Sequence, residues 1–138
     1  MEYDIFISSL KRTYLTAVQL FGKKNFIKTD LLNEVPINAF MKTKRKIHTS
    51  IWNFIARFLW YLDSPTQKEP ISKSKERSNK AIDFIEANSK GAFVVTHGFM
   101  MIVLIKQLKK RGYKFSTLKR FAFKNCEFII CKKNERPR

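Results

Sequence analysis

Residues 92–111 read AFVVTHGFMMIVLIKQLKKR, and this segment sets the class of the fold. Its first part, Ala92–Thr96, is apolar and β-branched, which is typical of a strand buried on both faces. His97 and Gly98 end that strand, and the apolar spacing of Phe99–Arg111 predicts a helix that Gly112 closes. The segment is therefore a strand–turn–helix unit with a histidine at its turn.

The beginning of the chain predicts a second unit of the same kind. Tyr3–Ser8 is rich in β-formers and reads as a short buried strand, with Ser9 as the expected N-cap of the next helix. Apolar residues then recur at helical spacing up to Phe21, and Gly22 is expected to stop the helix. This places Arg12 in the first turn of that helix.

The remaining segments complete an alternation of strands and helices. The sequence predicts a short strand at Phe26–Ile27, a helix over Ile47–Leu62, a helix over Ser74–Asn88 and a last strand near Glu127–Cys131. Such alternation indicates a three-layer α/β fold, with a mostly parallel sheet flanked by helices, in a single domain spanning residues 1–138. Ligands bind beyond the carboxyl ends of parallel strands, which here means Ser8–Arg12 and Thr96–Gly98.

Composition narrows the classes of protein. Hydrophobic residues make up 44% of the 138 residues, enough for a core, and the net charge of +17 favours anionic ligands. The two cysteines lie five apart in an apolar run, no four-ligand zinc pattern occurs, and we expect neither a metal nor another cofactor. The start has no signal-peptide pattern, and the longest apolar stretch, Phe99–Ile105, is too short to span a bilayer. We therefore expect a cytoplasmic location and no membrane partner.

Three segments resemble the histidine phosphatase (phosphoglycerate mutase-like) superfamily, in that family's order. ISSLKRTYLTA at Ile7–Ala17 is similar to its "S-x-L-x-R-(A/T)-x-x-T-A" turn and helix, and LLNE at Leu31–Glu34 is similar to its "L-x-E". VTHG within Val94–Gly98 is similar to its second-histidine motif, "V-(S/T/A)-H-G". Lesser likenesses are Glu76-Arg77, before a helix, and Asn125, before the last strand. No single motif is specific, but their joint order covers essentially the whole chain.

The resemblance implies a phosphoglycerate-mutase-like fold and a role for each matching residue. Arg12, His97 and Gly98 would bind the transferring phosphoryl group, since a guanidinium fork matches phosphate oxygens. His97 would also stabilise the charge of the transition state as the second, non-nucleophilic histidine. Glu34 would be the general acid that protonates the leaving oxygen. The implied reaction is phosphomonoester hydrolysis through a phosphohistidine, without a metal or other cofactor.

The chain departs from the family pattern at its start. The "R-H-G" element, which supplies the nucleophilic histidine and a further arginine, precedes all of these motifs in the family, whereas Met1–Asp4 already resembles the second strand. Apart from His97, the sequence holds one histidine, His48, at the start of a predicted helix. We therefore expect an N-terminally truncated, partial domain that is inactive or impaired as a phosphatase.

Other functions stay open from the sequence. A non-catalytic pseudo-enzyme would use Arg12 and His97 to bind a phosphorylated ligand without turnover. A basic nucleic-acid-binding protein would account for the charge, but no nucleic-acid motif supports it. The expected partners are a phosphorylated small molecule or a phosphoprotein, and a homo-oligomer or a strand-complementing partner that supplies the missing strand. The choice between phosphatase and mutase, and the substrate itself, stay undecided.

Overall fold

The computed structural model describes residues 3–39, 41–116 and 127–134. In these ranges three strands are each followed by one or more helices, and two short strands follow the last helix. The elements are β1 (Asp4–Ser8), α1 (Lys11–Phe21), β2 (Ile27–Thr29), a 3-10 helix (Asp30–Leu32), α2 (Thr49–Tyr61), α3 (Ile71–Asn88), β3 (Ala92–Val95), α4 (Gly98–Lys110), β4 (Tyr113–Phe115) and β5 (Cys131–Lys133).

The main sheet has three strands in the order β2-β1-β3, and both pairings are parallel. Phe6 on β1 lies opposite Ile27 on one side and Val94 on the other. The parallel α/β architecture predicted from the sequence is therefore confirmed. β4 and β5 form a separate antiparallel pair, with Phe115 opposite Cys131.

Helices cover both faces of this sheet because successive side chains of β1 point to opposite sides. Ile5 and Ile7 pack against Ala17 of α1 in one apolar cluster. Phe6 points the other way and joins a larger cluster that includes Ala81 of α3 and Met100 of α4. The result is the predicted three-layer arrangement of helix, sheet and helix.

The start and end of α1 show one correct and one wrong prediction. Gly22 has a φ of +75°, a backbone conformation that suits glycine, and α1 ends there as expected. Ser9 was expected to cap α1, but Leu10 occupies the cap position and caps with no side chain. The Ser9 hydroxyl is instead hydrogen-bonded to Asp30 and Asn33, on the loop after β2.

The prediction that the 92–96 strand is buried on both faces was wrong. Phe93 is 46% exposed and Val94 is 38% exposed. Among the described residues β3 pairs with β1 alone, so it lies at the edge of the main sheet. An apolar, β-branched sequence indicates a tendency to form a strand, but the burial of that strand also depends on a second neighbouring strand.

The end of the chain also differs from the prediction. The last strand is Cys131–Lys133 instead of Glu127–Cys131, and its partner β4 was not predicted. Asn125 and Cys126 lie outside the described residues. In the described part of the chain, no helix is long and apolar enough to cross a membrane.

Candidate functional site

The carboxyl ends of the three parallel strands bring three loops to one edge of the sheet. Arg12 is the second residue of α1, directly after β1. Glu34 lies on the loop after β2, and His97 follows β3 and occupies the N-cap position of α4. Because parallel strands end at the same edge, the structure brings these three sequence-predicted residues together.

His97 is buried, with 7% of its surface exposed, and it is held by the end of β1. Its Nε2 lies 2.9 Å from the hydroxyl of Ser8, which is itself fully buried. The Ser8 hydroxyl also contacts the Thr13 hydroxyl and accepts a hydrogen bond from the Leu10 amide at 3.3 Å. Ser8 therefore connects the strand β1, the first turn of α1 and the histidine.

Each hydroxyl group has one proton to donate, and this decides which atom is the donor in each contact of Ser8, Thr13 and His97. Thr13 donates its hydroxyl proton to the Leu10 carbonyl oxygen at 2.6 Å, so it accepts from Ser8. Ser8 has then used its own proton, and it accepts from the Leu10 amide and from His97. This assigns the neutral tautomer with its proton on Nε2 and leaves Nδ1 of His97 as an acceptor.

Burial lowers the pKa of His97 below its usual value of 6.5. The positive charge of Arg12 lowers this pKa further, the negative charge of Glu34 raises it, and Arg77 lowers it. Arg12 and Glu34 are thus close enough to His97 to act on its charge. The neutral imidazole has one lone pair free, and protonation at Nδ1 turns that atom into a donor toward an anion.

Glu34 connects the loop after β2 to the start of α4. Its Oε1 accepts hydrogen bonds from the amide of Met100 at 3.1 Å and from its own neighbour Val35 at 3.0 Å. A carboxylate is favourable at a helix N-terminus, where backbone amides lack partners. The Thr96 hydroxyl strengthens the same junction by donating to the Leu32 carbonyl at 2.7 Å.

Arg77 of α3 holds the backbone of the Glu34 loop. Its Nη1 donates to the carbonyl oxygens of Asn33 at 2.7 Å, Leu31 at 3.2 Å and Asp30 at 3.4 Å. Its Nε donates to Glu69 at 3.0 Å, and the two side chains form an ion pair. Arg77 thus positions the segment that carries the candidate acid.

The Glu76-Arg77 pair was singled out by its likeness to the family, without a predicted partner for Arg77. Glu76 forms an exposed ion pair with Lys80 on the next turn. The positioning contacts run instead to the loop after β2, which is far away in the sequence. Hydrogen bonds to carbonyl oxygens leave no pattern in side-chain spacing, so they could not be predicted from the sequence.

In the first turn of α4 the Met100 amide is bound to Glu34, whereas the amides of Gly98 and Phe99 have no partner among the described residues. The side chain of the N-cap residue His97 makes no capping hydrogen bond to α4, and the N-cap residue of α1, Leu10, makes none to α1. Gly98 is exposed, and a Cβ added there would meet no protein atom within 4 Å among the described residues. Helix N-termini attract anions through their dipoles and amides, so this edge can accept a phosphoryl group.

Arg57 of α2 is a charged residue near the site that the sequence did not single out. Its guanidinium carbon lies 3.4 Å from the centre of the Phe99 ring, and burial lowers its pKa to about 10, opposed by the charge of Glu34. Its Nη2 donates to the Val35 carbonyl at 3.4 Å. Its Nε and Nη1 are buried without a hydrogen-bond partner among the described residues.

The second histidine lies on a different element. His48 occupies the N-cap position of α2 and its Nδ1 accepts from the Ser50 amide at 3.3 Å. That contact gives it a structural role in starting α2. Across residues 3–39, 41–116 and 127–134, no three His, Cys, Asp or Glu side chains cluster as a metal site requires.

The chain is similar to known proteins at the level of family and fold. Residues 2–136 match the family model described as histidine phosphatase superfamily (branch 1). A solved structure, that of open reading frame Rv3214 from Mycobacterium tuberculosis, aligns with a TM-score of 0.56 and 19% identity. The alignment covers 75% of this chain and 53% of that one, so the chain spans about half of its length. No curated protein sequence matches significantly.

Proposed function

Because the chain belongs to branch 1 of the histidine phosphatase superfamily, we propose that the carboxyl edge of its sheet binds a phosphoryl group. In this proposal Arg12, His97 and the Gly98 backbone hold the phosphoryl oxygens, and Glu34 is the general acid. The proposed ligand is a phosphorylated small molecule or a phosphoprotein, and the proposed location of the protein is the cytoplasm. The amides of Gly98 and Phe99 at the start of α4 add to the side-chain donors.

The observation that carries this proposal is the charge environment of His97. A buried imidazole lies within electrostatic reach of both a free guanidinium and a carboxylate, at the end of a parallel sheet. No hydrogen bond or ion pair in the described part of the chain occupies the Arg12 guanidinium, and the residue is exposed. A cation without an internal partner beside a buried histidine suits an incoming dianion.

The family reaction requires a nucleophile in addition to these groups. A histidine nitrogen attacks phosphorus, the bond to the leaving oxygen breaks, and Glu34 gives that oxygen a proton; water then releases phosphate from the phosphohistidine. The 138 residues contain two histidines, of which His97 is bonded to Ser8 and His48 starts α2. We propose that this polypeptide by itself binds phosphate without turning over a phosphomonoester.

The test of binding is a calorimetric titration with inorganic phosphate. We expect the parent chain to bind and Arg12→Ala to bind roughly ten- to hundredfold more weakly, because a charge-assisted bond is lost. Lys23→Ala is the matched control, since it removes one positive charge beyond the other end of α1. Equal binding by the parent and Arg12→Ala would refute the proposed phosphate site.

The test of turnover is hydrolysis of p-nitrophenyl phosphate by the same three proteins. We expect the parent to release no more nitrophenol than Arg12→Ala. Turnover by the parent that Arg12→Ala loses would contradict the non-catalytic form of the proposal and support an active phosphatase. Binding and turnover are thus separated by two measurements on one set of proteins.

A second candidate is a phosphatase completed by a strand-complementing partner. One edge of β3 has no partner strand among the described residues, and its apolar side chains are half-exposed. Both features favour this candidate, because an unpaired edge is a template for another strand. A strand that pairs there would end next to His97. We expect a synthetic β-strand peptide ending in Arg-His-Gly to restore hydrolysis, and the Arg-Asn-Gly peptide to bind without restoring it. Equal rates with both peptides would exclude this candidate.

A further inference from the structure

The solvent side of α2 is apolar. Ile51, Phe54, Phe58 and Tyr61 recur at intervals of three and four residues, so they share one side of the helix. They are 55%, 74%, 54% and 61% exposed. We call these four residues the outer face of α2, and among the described residues no helix or strand covers it.

The opposite side of α2 is apolar as well and forms the helix's contact with the protein. Ala56 is fully buried and Trp60 is 7% exposed. The indole Nε1 of Trp60 donates to the buried Ser74 hydroxyl of α3 at 3.1 Å. A helix that packs on one side normally presents polar residues to water on the other. Contiguous exposed apolar side chains instead mark an interaction surface.

The charge around α2 indicates the partner. Between Glu34 and Asp63 the sequence contains no acidic residue. The segment just before the helix carries four exposed basic side chains, here called the basic cluster: Lys42, Lys44, Arg45 and Lys46. A cluster of this kind beside an aromatic apolar face is typical of segments that bind the headgroups of anionic lipids.

We propose that the outer face of α2 and the basic cluster together dock this protein on the surface of an anionic lipid bilayer. The helix would lie in the plane of the interface, with Phe54 and Phe58 reaching the acyl boundary and the lysines among the headgroups. This contact is peripheral and replaces the expectation of no membrane partner, which rested on the lack of an apolar stretch long enough to span a bilayer. The hydrogen bond from Trp60 to Ser74 joins α2, and with it the outer face, to α3.

A second copy of the chain fits this surface less well. Each copy carries a net charge of +17, and pairing the outer faces would bring two basic clusters into the same region. Like charges at an interface are unfavourable unless opposite charges intervene, and the helix has none. A bilayer rich in anionic lipid offers both the apolar depth and the opposite charge.

The experiment is co-sedimentation of the full chain with phosphatidylcholine vesicles that contain or lack phosphatidylserine. We expect binding to the anionic vesicles that weakens as salt is raised. Phe54→Glu/Phe58→Glu should weaken it on the order of hundredfold, because the variant loses the transfer of two aromatic rings from water into the bilayer. Replacing the basic cluster with glutamines should have an effect of at least similar size, roughly fivefold for each charge.

Two controls separate the proposal from its competitors. Leu15→Glu/Leu20→Glu on α1 introduces the same two charges at leucines that are 52% and 61% exposed outside the outer face, and it should bind like the parent. Arg12→Ala should also bind like the parent, which makes this test independent of the phosphate site. Circular dichroism establishes that each variant is folded.

Three outcomes would overturn the proposal. Equal binding to vesicles with and without phosphatidylserine removes the charge argument. Full binding by Phe54→Glu/Phe58→Glu would show that the outer face does not contact the bilayer and that binding is unspecific charge attraction. A concentration-dependent dimer of the parent that this double variant abolishes would assign the outer face to a second copy of the chain.

Discussion

β1 and β3 have similarly apolar sequences and lie side by side, yet their surroundings differ. Residues 5–8 of β1 are all buried, whereas Phe93 and Val94 of β3 are 46% and 38% exposed. β1 has a parallel neighbour on both sides, and β3 has one neighbour among the described residues. Both strands nevertheless end in the same candidate site, β1 through Ser8 and β3 through His97.

This contrast separates two properties that one sequence pattern suggests together. An apolar β-branched run gives the tendency to form a strand, while a second hydrogen-bonded neighbour gives burial. The site depends on the first property at both strands, since each delivers its residue at the carboxyl edge. The stability of the domain depends on the second, and it should therefore be unevenly divided between β1 and β3.

The largest expected effect comes from shortening a central side chain of β1. Phe6→Ala should lower the free energy of unfolding by about 3–5 kcal/mol, because Phe6 is fully buried and its removal leaves a cavity. Phe93→Ala, the matched change on β3, should cost about 1 kcal/mol, since that ring is already half in water. Urea unfolding of both variants measures the difference. Equal losses would mean that the contrast between the strands is wrong.

The next effect compares the polar residues that follow the two strands. Ser8→Ala should cost about 1–3 kcal/mol, because the Leu10 amide, the Thr13 hydroxyl and His97 lose a buried partner at once. Thr96→Val should cost about 1 kcal/mol, since it removes the one bond to Leu32. Thermal unfolding ranks the two variants. A larger loss of stability in Thr96→Val than in Ser8→Ala would mean that the residues after β3, and not Ser8, stabilise the site most.

The pH dependence of stability tests the surroundings of His97. Burial lowers its pKa in the folded chain, so the unfolded chain binds a proton first as the pH falls below about 6.5. The free energy of unfolding should therefore fall below that pH, by at most about 1.4 kcal/mol per pH unit from this group. Its fall should be shallower in His97→Asn, and His48→Asn is the matched control. Parent and His97→Asn curves of equal slope would contradict the assignment.

The smallest expected change in stability is at the start of α4. Gly98→Ala should alter the free energy of unfolding by less than about 0.5 kcal/mol, since the new Cβ meets no protein atom within 4 Å. It should weaken phosphate binding severalfold, because the methyl group occupies the approach to the backbone amides. Calorimetry and urea unfolding measure the two quantities. An unaffected phosphate affinity would remove Gly98 from the site.

The sequence predicted the parts of the fold that local patterns encode. The helix of α1 with its glycine stop, the parallel sheet and the positions of Arg12 and His97 all follow from periodicity and motif order. The exposure of β3 and the β4–β5 pair did not follow, because they depend on which segments become neighbours. Short strands of three residues such as β4 also carry too little pattern to stand out.

Sequence motifs singled out three residues that the fold brings to one edge of the sheet, but they did not indicate the residues that support them. Arg12, Glu34 and His97 lie in recognisable motifs, whereas the Ser8 hydroxyl network and the hydrogen bonds of Arg77 join residues far apart in sequence. Arg57 was missed because its position on an apolar helix resembles that of a surface charge. Its burial over Phe99 arises only from the packing of α2 near the site.

The way Arg77 holds the Glu34 loop has a consequence for how the region can vary. One guanidinium of α3 binds three backbone oxygens of that loop, and those oxygens are present whatever the side chains are. The geometry of residues 30–34 is thereby fixed from α3 and from the start of α4. A change of side chain at Leu31 or Asn33 leaves those oxygens in place, so the backbone that carries the Glu34 carboxylate should keep its geometry.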